Sequence, residues 1–582
     1  MQINDRTNNS EVCRSSAFLP MTRQEMKALA WDAVDVLLIT GDAYVDHPAF
    51  GAALLGRHLM AAGYRVGIVA QPRWDTPADV LRLGRPRLFA GVTAGALDSM
   101  LAHYTAFRKL RHDDAYTPGD KHGARPNRAA IVYTGLLRQA FPGLPVIIGG
   151  VEASLRRASH YDFWSDKIRR SILLDSKADL LVYGMGERAV LEIAQRLEDA
   201  VEGKPAEMLR GIPGTAFAIS SLEALQAQGL LDECVVLPSH EDVLADPKAL
   251  MSATLALELQ THQGTHWATQ ASGSRWVAFA PPAAPLSQSE LDALYRLPFS
   301  RRPHPSYTLP IPAAAMIQFS ITAHRGCAAG CTFCSITLHQ GRQIQSRSEA
   351  SVLEEVKALT RHPDWKGSIS DVGGPTANMW GGKCKGDPAV CRRRDCLFPK
   401  QCPHFVVDEV KMSLLLTTIA ALEGVNHVRV ASGVRYDMGN KERLYLRTVV
   451  RGFVGGQLKV APEHISNPVL RLMRKPTREA FERFLDLFED ESRRAGKEQY
   501  VAPYLISAFP GCTDRDMREL AQWLKRRGWR PRQVQCFIPT PGTVATAMYH
   551  AGIDEHGKPI HVARSDRDRL RQHRLLLPTR NG

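Results

Sequence analysis

Between residues 33 and 200, short apolar runs alternate with stretches of helical periodicity. Residues 33–39 form one such run and end in Thr40-Gly41-Asp42, which predicts a strand feeding a turn. Residues 52–62 repeat at helical spacing and stop at Gly63, and 65–70 return to a strand. Thr76-Pro77 predicts a helix start, an N-cap followed by proline at the first helical position. Residues 88–92, 146–148 and 179–183 predict further strands. Strands alternating with helices imply a doubly wound α/β domain on a parallel sheet, with loops gathered at the strands' carboxyl ends.

From residue 205 to about 312 the pattern weakens, and 297–307, rich in proline, predict an extended linker. Alternation resumes at 316 and is regular to 539. Strands are predicted at 316–322, 367–372, 427–431, 457–461, 500–507 and 533–539. Helices are predicted from a Ser351-x-x-Glu354 capping box, at 410–422 and 441–450, around Phe481, Phe484, Leu485 and Phe488, and at 513–527. Six β/α units are too few for a closed eight-stranded barrel. The reading gives a polar segment 1–20, an N-terminal α/β domain with linker 21–310, and a core 311–550 interrupted by a cysteine-rich insertion 376–409. A basic tail, 551–582, follows.

Composition narrows the class. With 582 residues, 44% hydrophobic and 23% charged, the chain has ample material for two or more globular domains. Residues 1–16 are polar and carry no apolar signal region, and the apolar stretch 412–425 is too short and too polar to span a bilayer. Eleven cysteines, seven of them from Cys327 to Cys402, fit a reducing cytoplasm with metal sites better than disulfides. A formal charge of +14 permits an anionic partner such as RNA, although no RNA-binding fold motif is present.

The chemistry concentrates in Arg325-Gly326-Cys327-Ala328-Ala329-Gly330-Cys331-Thr332-Phe333-Cys334. Three cysteines spaced C-x3-C-x2-C point to a cubane iron–sulfur cluster, which normally takes four thiolates. Three local ligands leave one iron open to a small molecule. A zinc knuckle is the competing reading, but zinc ligands usually come as separated pairs. C-x3-C-x-aromatic-C resembles the signature of radical S-adenosylmethionine (SAM) enzymes. The flanking Ser335-Ile-Thr-Leu-His339-Gln340-Gly341-Arg342 and the early Gly41-Asp-Ala-Tyr-Val-Asp-His-Pro48 resemble the YgiQ-type branch over most of the chain.

The resemblance implies a cobalamin-binding-like N-terminal domain and an open (β/α)6 TIM-type barrel with its active site at the strands' carboxyl ends. It implies a [4Fe–4S] cluster on Cys327, Cys331 and Cys334, SAM on the open iron, and reductive cleavage to a 5′-deoxyadenosyl radical that attacks a substrate not yet identified. A flavodoxin- or ferredoxin-type electron donor follows. Gly373 and Gly374 resemble the glycine segment near the SAM amine. Ser432, Arg435 and Glu463 are candidates for holding SAM, Arg435 by a bidentate grip on its carboxylate; Glu463 and His464 are candidate acid and base. Gly149-Gly150-Val151-Glu152 and Gly184-Met185-Gly186-Glu187 resemble ligand loops of cobalamin-binding domains. A cobalt-ligating histidine is unsupported, because Asp46 and His47 are adjacent rather than spaced D-x-H-x-x-G.

In the insertion, Cys384, Cys391, Cys396 and Cys402 form a candidate second metal site for zinc or an auxiliary iron–sulfur cluster. Cys13, Cys234, Cys512 and Cys536 are isolated and read as structural. Two other functions compete with radical SAM chemistry: an RNA-binding or RNA-modification accessory protein, and an electron-transfer iron–sulfur protein.

Overall fold

A computed structural model describes residues 18–200, 205–226, 229, 234–438, 443–531 and 534–577. Cys13, the N-terminal segment through residue 17, the first two residues of the helix expected at 441–450, Gln533 and the last five residues lie outside the described residues. The chain divides into two compact units, residues 1–284 with 293–318, and 285–292 with 319–582.

The first unit is built on a nine-stranded sheet. Its strands are β1 (Val36–Thr40), β2 (Val66–Ala70), β3 (Phe89–Thr93), β4 (Val146–Gly149), β5 (Leu180–Val182), β6 (Thr215–Ile219), β7 (Val235–Val236), β8 (Ala268–Ser272) and β9 (Arg275–Phe279). Their order is β2-β1-β3-β4-β5-β6-β9-β8-β7. The first five pair parallel, with Val36 opposite both Val66 and Phe89. All five residues of β1 are buried, as expected for a strand covered on both faces. The antiparallel pairings of β6, β8 and β9 extend the sheet through the region where sequence pattern was weak. The helix Pro247–Gln263, capped by Asp246 and ended by Gly264 in the left-handed region, also falls there. Thr76-Pro77 opens a series of turns rather than a helix.

In the second unit, six parallel strand segments follow in chain order. These are β10 (Ser320–Thr322), a broken second strand β11 (Ser368–Ile369) and β12 (Asp371–Gly373), β13 (His427–Val428), β14 (Gln457–Glu463), β15 (Tyr500–Ser507) and β16 (Val534–Cys536). β10 pairs with β12, β11 with β13, β14 with β15, and β15 with β16, all in parallel. Helices Glu349–Thr360, Glu409–Ala420, Arg478–Arg494 and Asp514–Arg526 separate them. Phe481, Phe484, Leu485 and Phe488 are buried along one stripe of the third of these. The first opens one turn earlier than its sequence suggests. Ser348, not Ser351, is the N-cap, and its hydroxyl accepts the Ser351 amide. The first strand is shorter than expected because Pro312–Ile317 are helical.

The tail contributes a helix, Asp566–Arg574. Its Arg569 is fully buried and donates to the Phe537 carbonyl, while Gln572 donates to the Cys512 carbonyl at 3.1 Å. Among the described residues no helix is long and apolar enough to cross a membrane.

Candidate active site

The cysteine loop leaves β10 and is closed at its neck by the short ladder of His324–Arg325 against Gln345–Ser346. Two glycines are required by close approach. Gly326 has φ +83°, and a Cβ there would meet the Gln343 carbonyl oxygen at 2.3 Å; at Gly330 it would meet the Arg394 carbonyl oxygen at 2.0 Å. The loop is held from several sides. Gly330 donates to Asp395 at 2.7 Å, Arg474 donates to the Gly330 carbonyl at 3.1 Å, and the Cys396 amide donates to the Ala328 carbonyl at 3.0 Å. Thr332 donates through its amide to the Met473 carbonyl and through its hydroxyl to that of Leu472.

The three thiols lie within electrostatic reach of one another. Burial pushes all three pKa values up, that of Cys334 to about 12, with further increments from Cys331 and Cys327. Cys327 Sγ lies 3.9 Å from Thr376 Oγ1, and Cys331 Sγ lies 3.7 Å from Arg435 Nη1. Thiols held neutral by burial become stable thiolates when a cation joins them. Among the described residues no three His, Cys, Asp or Glu side chains are grouped to hold one metal ion. Thiolates around a cubane each bind a different iron, so they stand farther apart than the ligands of a single ion.

Around the barrel rim the structure redistributes the roles expected from sequence. Gly373 and Gly374 end β12 against other groups: a Cβ on Gly373 would meet Ser432 Oγ at 3.1 Å, and one on Gly374 the His324 carbonyl oxygen at 2.5 Å. Ser432 has a partner within the chain. Its hydroxyl donates to Asp371, whose other oxygen accepts the amides of Ala431 and Ser432 at 2.8 and 3.0 Å. Arg435 is paired along one edge of its guanidinium. Its Nε and Nη2 donate to the two oxygens of Asp437 at 2.9 and 2.7 Å. Glu463, at the end of β14, is buried with φ +67°, a strained backbone for a non-glycine residue, and Lys475 Nζ lies 3.8 Å from its carboxylate. Burial raises its pKa, opposed by Lys475 and Arg435.

His464 is a poor acid or base. Burial depresses its pKa to about 4, Nδ1 accepts the Ser466 amide at 2.9 Å, and Nε2 lies 3.6 Å from Cys512 Sγ. Sequence reasoning missed Asp371, Asn378, Asp395, Asp437 and Lys475. Each is an ordinary polar residue in the text and gains meaning only from what it touches.

The four insertion cysteines differ in exposure. Cys384 is exposed on the ladder Lys383–Cys384 with Phe405–Val406, and Cys391 is half-buried. Cys396 and Cys402 are buried in one apolar cluster with Cys327, and Arg342 donates to Cys396 Sγ at 3.2 Å. Asp395, between these elements, accepts the amides of Leu397 and Phe398 as well as that of Gly330. The insertion thus serves as a brace on the cysteine loop.

In the first unit the strand order reverses between β1 and β3, the place where open α/β sheets bind ligands. A buried charge network lies at this edge of the sheet. Arg125 Nη1 lies 3.1 Å from Asp42, its Nη2 2.9 Å from Asp114, and it donates to the Ala94 carbonyl at 2.9 Å. A Cβ on Gly95 would lie 2.1 Å from the Asp42 carboxylate. Glu152 is equally engaged, accepting from the Ser99 amide at 2.8 Å and the Ala130 amide at 3.1 Å.

A family profile described as Radical SAM N-terminal matches residues 18–320. A UPF0313 protein of Geobacter sulfurreducens is 52% identical over 566 residues, covering 96% of this chain and 92% of the relative. UPF0313 protein YgiQ of Salmonella typhimurium is 44% identical over 620 residues, covering 96% and 85%. The chain belongs to the YgiQ family of radical SAM proteins. Among solved structures it is similar to the radical SAM methyltransferase TsrM from Kitasatospora setae with tryptophan and the SAM analogue aza-SAM bound. The TM-score is 0.51 at 14% identity, covering 93% of this chain and 89% of that one. TsrM with cobalamin and a [4Fe–4S] cluster bound gives 0.51 at 13%, covering 94% of each chain. At such identities the likeness establishes the fold of this YgiQ-family chain, mixed α/β with a large, mainly parallel sheet and a radical SAM N-terminal domain.

Proposed function

We propose that this YgiQ-family chain is a radical SAM enzyme whose Cys327, Cys331 and Cys334 hold a [4Fe–4S] cluster, with SAM on the remaining iron. Three thiols within electrostatic reach of one another, in the loop after the first barrel strand, carry the reading. When bound, the cluster supplies the electron that cleaves the carbon–sulfur bond of SAM to a 5′-deoxyadenosyl radical, which abstracts hydrogen from the substrate.

The chain's own residues then have distinct tasks. Gly373 and Gly374 would pass beside the SAM amine, and Glu463, paired with Lys475, would meet the ribose. Ser432 and Arg435 act in support, one fixed by Asp371 and the other by Asp437. The electron comes from a flavodoxin- or ferredoxin-type donor. The test is anaerobic: reconstitute the protein with iron and sulfide, reduce it, add SAM, and quantify 5′-deoxyadenosine against unreconstituted protein. Product only after reconstitution is expected. A fully loaded, reducible cluster that yields none, even with cell extract added as a source of substrate, would favour electron transfer.

We infer that the first unit works without cobalamin. The buried Asp42–Arg125–Asp114 network lies where the sheet would receive a ligand, and His47 is buried with Nε2 3.1 Å from Arg301. Titration with hydroxocobalamin is expected to leave its visible spectrum unchanged, and gel filtration to remove the pigment completely. Retained pigment at one equivalent would overturn this.

A further inference from the structure

Arg435 sits at the carboxyl end of the third barrel strand, and every part of it is fixed. Asn378 brackets its backbone, accepting the Arg435 amide at 2.9 Å and donating to its carbonyl at 2.8 Å. Asp437 takes the Nε–Nη2 edge of the guanidinium bidentately. That leaves Nη1, which points at Cys331 Sγ across 3.7 Å, and the side chain is only 8% exposed. An arginine placed to grip a carboxylate keeps its fork open; this one has its fork closed and a single N–H directed at sulfur.

We propose that Arg435 is a positioning residue that sets the reduction potential of the cluster through Cys331. The inference rests on the cluster assignment made above. Hydrogen bonds and charge at the cluster sulfurs are among the determinants of iron–sulfur potentials. Reduction adds an electron, so a buried cation at a ligand sulfur stabilises the reduced form and raises the potential. Asp437 opposes this, but from the far edge of the fork, and Coulomb attraction falls with distance. The other charged groups around Cys331 are Lys475, of the same sign as Arg435, and Asp395 and Glu463, of the opposite sign. Lys475 acts on Cys331 through space while paired with Glu463 at 3.8 Å, whereas Arg435 places an N–H against the sulfur itself.

The experiment is an equilibrium redox titration of reconstituted full-length protein without SAM, followed by the electron paramagnetic resonance signal of the reduced cluster. Arg435→Gln is expected to lower the midpoint, changing the ratio of oxidised to reduced cluster at fixed potential by about tenfold, which for one electron is about 59 mV. Arg435→Lys is expected to restore part of the shift. Asp437→Asn, which removes the opposing charge and keeps the arginine, is expected to raise the midpoint; it also serves if Arg435→Gln fails to hold the cluster. Midpoints unchanged in the glutamine and asparagine variants would overturn the proposal. So would an unchanged midpoint together with loss of SAM binding in Arg435→Gln, because that pattern makes Arg435 a SAM ligand. Native protein that takes up no iron would instead overturn the cluster assignment and this inference with it, so the two failures are distinguishable.

Discussion

Replacing any one of Cys327, Cys331 or Cys334 by alanine is expected to reduce 5′-deoxyadenosine formation to background and to abolish stable cluster incorporation. Each thiolate holds a separate iron, so losing one leaves a cluster with two protein ligands. The loop is braced by Asp395, Arg474 and Thr332 independently of the thiols, so these variants should fold. Cys384→Ala, at an exposed position of the insertion, is expected to change neither product nor iron content. Acid should weaken the native site. All three thiols have raised pKa values and must lose protons to bind iron. Iron retained after dialysis should therefore rise from pH 6 to pH 8. Iron loading at native levels in all three single variants would contradict the assignment.

Arg125→Met is expected to destabilise the first unit by about 3–5 kcal/mol near neutral pH, because it leaves two carboxylates buried without their cation. Arg125 is fully buried between Asp42 and Asp114. The penalty should shrink on acidification. Burial lifts the Asp42 pKa from 3.8 to about 6, so the folded protein holds a proton there that the unfolded chain has lost. This contribution to stability is fully present below about pH 3.8 and is lost as pH rises through about 6, at up to about 1.4 kcal/mol per pH unit. Removing Arg125 withdraws the charge that lowers this pKa and carries the loss to higher pH. Urea unfolding followed by circular dichroism at pH 5 and pH 8 checks both points. A gap between native and variant that is equal at the two pH values would exclude buried carboxylate charge as its cause.

Legibility varied with how local each signal was. The helix around Phe481, Phe484, Leu485 and Phe488 could be read directly, because apolar spacing states which side faces a core. The Ser351–Glu354 pair was misleading for the same reason of locality. Ser348, three residues earlier, offered an equal cap, and the backbone took it. Thr76-Pro77 had the local form of a helix start but no apolar stripe long enough to be buried. Between residues 205 and 312 the strands are short and join antiparallel or at the sheet edge, so no regular β/α alternation announced them.

What the sequence determined by itself was the pattern that needs no partner: two α/β regions, six β/α units in the second, and a C-x3-C-x2-C run of three cysteines. Tertiary structure decided who satisfies whom. Ser432 and Arg435 were read as candidates for holding SAM, and folding supplied the partners that fix them, Asp371 and Asp437. Of the four insertion cysteines read as one candidate site, folding leaves Cys384 exposed and buries Cys396 and Cys402. The physical reason is common to both. A buried polar or charged group must find a partner within hydrogen-bond reach, and that partner is fixed by chain packing rather than by sequence spacing.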